Sequence, residues 1–210
     1  MSFQTAEVRR SKLRADAQRT ILDSAESLLA EGGYDAFSIR KLTERCGYSA
    51  PTIYHHFRDK GGLLDAVLEE HFQRLLDLIR AVSFRPDPLD TIRARAKAFV
   101  EFGLQNPTHY RVLMTQRGAD AKPLQSAEDS RGLLEQPWRQ LIEQGRLREE
   151  HLDLAQQCCF ALLHGLISLL TNRPDIEWSS GVVEESVEAL LRGWTVSTGL
   201  EPSGASRGKP

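Results

Sequence analysis

Thr52, Tyr54, His55 and His56 are closely spaced side chains able to read a nucleic acid. At helical spacing they lie on or beside one outward face, while Ile53 and Phe57, four apart, share a face that can dock inward. Hydroxyls and imidazoles projecting from a short helix can hydrogen-bond to phosphates and base edges in a DNA major groove. Such chemistry works only if the helix is held at a fixed angle.

The preceding residues are suited to that task. Ser38 is a fair N-cap for a helix whose apolar stripe is Ile39, Leu42 and Cys46. Gly47 falls where the chain must turn sharply, at a positive φ that only glycine adopts cheaply. Ser49 can cap the next helix, and Pro51 sits in its first turn, where a missing N–H costs little. The pattern predicts two short helices joined by a tight turn, a helix-turn-helix.

Residues 19–68 resemble the DNA-binding domain of the tetracycline-repressor (TetR) family of transcriptional regulators. The resemblance rests on Arg19-Thr-Ile-Leu-Asp-Ser-Ala, Glu31-Gly-Gly-Tyr-Asp-Ala-Phe-Ser-Ile, Cys46-Gly-Tyr-Ser, Thr52-Ile-Tyr-His-His-Phe, and Lys60 with Leu63-Leu64. It implies a DNA-contacting set of Ser38, Arg40, Ala50, Pro51, Thr52, Tyr54, His55, His56 and Lys60. In that set Arg40 would meet a guanine or a phosphate, Thr52 and Tyr54 phosphates, Ala50 and Pro51 a thymine methyl, and His55 a base edge; Lys60 would clamp a phosphate. The sequence departs from the family pattern at Tyr48, usually a small aliphatic residue, and at Gly61-Gly62, where an acidic residue commonly follows the lysine. Two glycines weaken a helix start by about 1 kcal/mol each relative to alanine.

Charge alone would not have pointed to DNA. The net charge of the 210-residue chain is −2. Ten Lys and Arg face eight Asp and Glu in residues 1–60, and 17 face 21 in the rest. The sharper feature is Val8–Arg19, where Arg9, Arg10, Lys12, Arg14 and Arg19 face Asp16 alone. It reads as a solvated helix start or as an arm reaching phosphates or a minor groove. No secretory h-region is visible in the first thirty residues, and the longest nearly apolar run, Cys158–Leu170, is short for a bilayer. Three cysteines, including adjacent Cys158 and Cys159, suggest no disulfide framework, so a reduced, cytoplasmic protein is expected. No nucleophile–base constellation, phosphate-binding loop or zinc spacing is present, so no enzyme activity, cofactor or metal is expected.

Helical periodicity dominates the whole chain and predicts an all-α fold. A first helix from Val8 or Asp16 ends at Glu31-Gly32-Gly33, and a fourth runs from after Asp59 to about Ala81. Arg85-Pro-Asp-Pro88 is a break. Helices follow from Leu89 to Gln105, from Asn106-Pro107, from Leu133 to Leu147, from Leu152 to Leu170, and from Gly181 to Val196. Residues 118–132 read as a loop or irregular helix. The expected domains are 8–64, the helix-turn-helix DNA-binding domain, and 65–199, a larger helical ligand-binding and dimerisation domain, with 200–210 a disordered tail. Their boundary falls within the fourth helix.

The last two apolar helices must bury their stripes in their own subunit or against a second copy. The resemblance implies the second, a homodimer on a palindromic site in double-stranded DNA. Leu163-His-Gly-Leu-Ile-Ser-Leu, with Asn106-Pro-Thr-His-Tyr-Arg, further resembles a TetR subgroup carrying a His-Gly pair in this helix. It implies a pocket for a small apolar effector. Phe99, Tyr110, Met114, Trp138 and Phe160 read as pocket lining or as ordinary core, and His164 as a ligand donor or a core histidine bonded to a carbonyl. Arg111 and Arg117 read as solvent-facing residues first, and as partners of an anionic ligand second. The expectation is a ligand-responsive repressor in which the effector shifts the fourth helix and mis-sets the recognition helices. Activation, control by a protein partner, and an all-helical scaffold or enzyme remain as alternatives.

Overall fold

In the computed structural model, residues 2–114 and 124–195 are described, and for 2–5, 34–36 and 128–129 only the backbone. The expected tail, Arg117 and the first part of the expected loop lie outside the described residues. Every regular element among the described residues is helical: α1 Ser2–Ala36, α2 Ile39–Cys46, α3 Ala50–Phe57, α4 Lys60–Ala81, α5 Pro88–Gln105, α6 Pro107–Leu113, α7 Gln125–Glu143, α8 Leu152–Asn172 and α9 Val182–Trp194. A 3-10 turn, Glu149–His151, leads into α8.

Helix α1 starts earlier than its sequence suggests. Gly33 adopts φ 68°, ψ −169° and breaks it where the Gly32-Gly33 pair predicts, with one further turn beyond. Helix α7 also begins earlier, at Gln125, so part of the expected loop is helical. Pro137 lies inside it. Proline has no N–H, so the carbonyl one turn back, that of Leu133, loses its usual donor. The buried Arg95 guanidinium supplies one instead, with Nη1 donating at 2.7 Å. The same guanidinium stacks 4.6 Å over the Phe84 ring. Burial lowers the Arg95 pKa.

The helices form two compact units. The first takes residues up to Leu78 and Phe102–Ser130; the second takes Ile79–Glu101 and the chain from Arg131. The core of the first unit gathers Ile21, Ala25 and Leu29 of α1, Leu42 of α2, Ile53 and Phe57 of α3, and Leu63, Leu64 and Leu68 of α4. Val112 of α6 joins them, fully buried. Arg111 donates to the Ala30 carbonyl at 3.0 Å and so fastens α6 to α1.

In the second unit, Leu152, Ala155, Cys159, Leu163, Leu166 and Ile167 of α8 are buried, as are Val187 and Leu191 of α9. Burial pushes the Cys159 thiol up to about 11, so it is an inert packing group. An apolar helix of this kind needs cover on most sides, and within one chain α8 lacks it: Leu154, Phe160 and Leu169 are exposed. Together with the 3-10 turn, α8 is a 24-residue helix that contains a window long and apolar enough, by length and composition, to cross a bilayer. The bilayer objection drawn from the shorter run therefore does not hold. Its buried stripe nevertheless marks it as a helix of this unit's own core.

Candidate DNA-binding site

The helix-turn-helix is fixed by local chemistry at every joint. Ser38 is extended and its Oγ accepts from the Lys41 N–H at 3.3 Å, capping α2. Gly47 takes φ 74° and its N–H donates to the Thr43 carbonyl, closing α2 and turning the chain. Ser49 Oγ accepts from the Thr52 N–H at 3.4 Å and lies 2.9 Å from Thr52 Oγ1. Replacing Ser49 with alanine should cost about 1 kcal/mol, the usual worth of an N-cap, read as a lower denaturation midpoint with an unchanged m-value. Tyr48, the first departure from the family pattern, is half-buried and packs against the first unit's core.

Two further ties hold the motif to its neighbours. Arg45 of α2 makes a bidentate ion pair with Glu31 near the end of α1, at 2.5 and 2.9 Å. Ile53 and Phe57 of α3 are buried in the core, as their spacing predicts. Helix α3 ends in a γ-turn at Arg58, whose φ of 67° is strained for a side-chain-bearing residue. The Asp59 N–H there donates to the Phe57 carbonyl at 2.7 Å.

Helix α4 starts at once, despite Gly61-Gly62. Asp59 Oδ1 accepts from the Gly62 N–H at 2.7 Å and caps it. A Cβ on Gly62 would lie 2.3 Å from the Phe57 carbonyl oxygen. That glycine therefore permits the close approach of α4 to the end of α3, and its helix-weakening effect is secondary.

Anchoring one face leaves the other free. Pro51, Tyr54 and His55 are exposed, and Ala50, Thr52 and His56 are half-buried on the same helix. Arg40 extends from α2, its guanidinium in an exposed ion pair with Glu44 at 2.9 Å. Such a pair is worth at most about 1 kcal/mol, so a phosphate or guanine can displace Glu44. The Lys60 ammonium stands 5.5 Å from the Phe37 ring centroid. Ser38 Oγ accepts in its cap and keeps its O–H to donate to a phosphate, and the Thr52 hydroxyl shares a hydrogen bond with the Ser49 cap. His56 is held below its usual pKa by partial burial, then by the charges of Arg14 and His55. The charge of Arg14 on α1 therefore reaches α3, while Arg9, Arg10 and Lys12 are exposed on the same helix.

The family model for bacterial regulatory proteins of the tetR family matches residues 21–67, covering this motif. A second, described as the tetracyclin repressor-like C-terminal domain, matches 92–193. The chain belongs to the TetR family. Among curated relatives of this TetR-family regulator, the HTH-type transcriptional repressor Rv1474c of Mycobacterium tuberculosis is 28% identical over 81% of this chain and 90% of its own. The repressor AcnR of Corynebacterium diphtheriae is 26% identical over 82% and 92%. A TetR-family transcription regulator from Marinobacter aquaeolei VT8 shares the fold with a TM-score of 0.72, covering 88% of this chain and 98% of its own at 19% identity. RolR, solved in complex with resorcinol, has a TM-score of 0.60, covering 89% and 91% at 24% identity. The chain is thus a DNA-binding transcriptional regulator and not an enzyme.

In the second unit of this TetR-family protein, three expected effector residues come together. The Phe99 and Phe160 ring centroids are 6.2 Å apart, and His164 stacks on Phe160 at 6.0 Å. Trp138 is buried in the same unit. Tyr110 and Met114 belong to the first unit, where Tyr110 is buried and Met114 exposed. Burial pushes the Tyr110 phenol up to about 12. A groove of about 700 Å³ between α5 and α9 is lined instead by Arg93, Lys97, Glu101, Glu184 and Glu188, among others.

Proposed function

We propose that this chain is a cytoplasmic, homodimeric repressor that binds palindromic operator DNA and is released by a small apolar effector. The observation that carries the reading is α3: anchored through Ile53 and Phe57, capped at both ends, and exposing Pro51, Tyr54 and His55. A helix held this way has the form that enters a major groove. The named relatives are repressors, which supports that sign of regulation.

Dimerisation is supported by α8 and α9. Leu154, Ala161 and Leu169 form an exposed seam on α8 that also contains Gly165. Ala189 and Gly193 are exposed on α9. A glycine inside a helix costs about 1 kcal/mol against alanine. A Cβ at Gly165 or Gly193 would meet nothing within 4 Å in the chain itself. The glycines therefore find no use within one subunit; close approach by a partner's helices would supply one.

The effector reading rests on the aromatic group Phe99, Phe160 and His164. A RolR–resorcinol complex illustrates that this fold can take a small aromatic molecule. Release requires the effector to bind the DNA-incompetent state more tightly.

Selection from random duplexes at about 150 mM salt, where nonspecific phosphate binding is weak, tests the reading. An enriched palindrome is expected; a folded protein that enriches none would overturn it. On the selected site, Lys60→Ala should weaken all sequences alike and lower the salt slope by about 1. Arg40→Ala should relax preference at one position by roughly 1–3 kcal/mol. A site preference untouched by Arg40→Ala would remove it from base reading.

A further inference from the structure

We infer that Glu26, His71 and His109 form a binding site for a first-row divalent cation of the zinc class. The three come from α1, α4 and α6 and lie within the first unit. Their ligand atoms all fall within 4.8 Å of one another. Both imidazoles turn Nε2 toward the same carboxylate: His109 Nε2 is 3.1 Å from Glu26 Oε1, and His71 Nε2 is 3.4 Å from Oε2. The two rings face each other at a 4.8 Å centroid distance.

Two donors bound at roughly 2.1 Å to a tetrahedral ion lie about 3.4 Å apart. The two nitrogen–oxygen distances already approximate that spacing. The remaining closure falls to His109, whose side chain is 32% exposed and free to adjust. Two imidazoles and a carboxylate match the borderline character of zinc and its neighbours better than that of magnesium or calcium.

The surroundings favour the metal-ready form. His71 is 1% exposed. A metal binds an imidazole nitrogen through its lone pair, and Nε2 of both rings already faces the one carboxylate. Glu26 is also the carboxylate both rings share, and a cation would satisfy it without a proton on either facing nitrogen. His71 Nδ1 has no hydrogen-bond partner among the described residues.

Cobalt(II) titration of the chelator-treated full-length protein tests the site, since the ion's visible d–d absorption reports low-symmetry protein coordination. One equivalent per chain is expected, with the bands bleached by added zinc. Glu26→Gln and His109→Ala should each weaken cobalt binding by at least about 10-fold. Circular dichroism of both variants checks that they fold. His71→Ala is avoided because the residue is buried. The double variant His55→Ala/His56→Ala, on the exposed face of α3, should bind cobalt as the parent does. Absence of cobalt bands together with no zinc retained on dialysis would overturn the inference. So would an affinity unchanged in either ligand variant, or one lost in the α3 double variant.

Discussion

Gly165→Glu should leave the chain folded but monomeric, and operator affinity should fall by about 10²–10⁴-fold, the gain normally made by linking two half-site contacts. Nothing in the subunit lies within 4 Å of where the new Cβ would stand, so the fold has no reason to suffer. The helix itself gains, because any residue but proline is a better helix former than glycine. In the proposed dimer the same position would bury an unpaired carboxylate against the partner's helices, at a cost of several kcal/mol. Sedimentation gives the oligomeric state, and titration of the selected duplex gives the affinity. A fully dimeric Gly165→Glu protein would move the interface away from α8. Gly165→Ala separates the two effects: unfolding of the monomer should become about 1 kcal/mol harder, while dimer affinity drops.

Gly62→Ala should destabilise the first unit by about 3 kcal/mol and weaken DNA binding, whereas Gly61→Ala should be neutral or slightly stabilising. The difference is geometric. At Gly62 the new methyl would stand 2.3 Å from the Phe57 carbonyl oxygen, a backbone atom that moves only if the α3–α4 joint moves. At Gly61 it would stand 3.2 Å from Asp59 Oδ1, a side-chain atom that needs to give by only a few tenths of an ångström and can do so while still accepting from the Gly62 N–H. Chemical denaturation of both variants measures the split. Equal stabilities would mean that the joint absorbs the methyl freely and that its geometry does not set the angle of the recognition helix.

The glycine pair shows how far local rules reach. Propensity ranks Gly61 and Gly62 as equal weaknesses in a helix start. Only the close approach of α4 to the strained turn at Arg58 distinguishes them. The caps, by contrast, were legible from spacing alone. Ser38, Gly47 and Ser49 do what their types predict, because a cap is completed by backbone groups within four residues. The inward pair Ile53 and Phe57 was legible for the same reason, a 3.6-residue period.

Where local chemistry was ambiguous, the expectation slipped. Residues 125–132 carry Ser, Glu, Asp and Gly and read as a loop or an irregular helix; the structure takes the helical alternative, as the start of α7. Their backbone is fixed partly from afar, with the Ser126 N–H donating to Glu69 at 2.8 Å. The apolar circumference of α8 calls for cover on most sides, but periodicity cannot say whether the covering surface is in the same subunit. In the chain itself Leu154 and Leu169 stay exposed.

The sequence by itself determined that this protein is all-helical, that it carries a helix-turn-helix, and that it belongs among TetR-like regulators. Those features are written in contacts no longer than one or two helical turns. Tertiary structure decided the rest. Val112 of α6 completes the core that supports α2 and α3. Phe99, Phe160 and His164 meet while Tyr110 and Met114 belong to the other unit. Glu26, His71 and His109 converge from three helices. Each is a long-range juxtaposition, set by how helices pack and not by the spacing of residues along them.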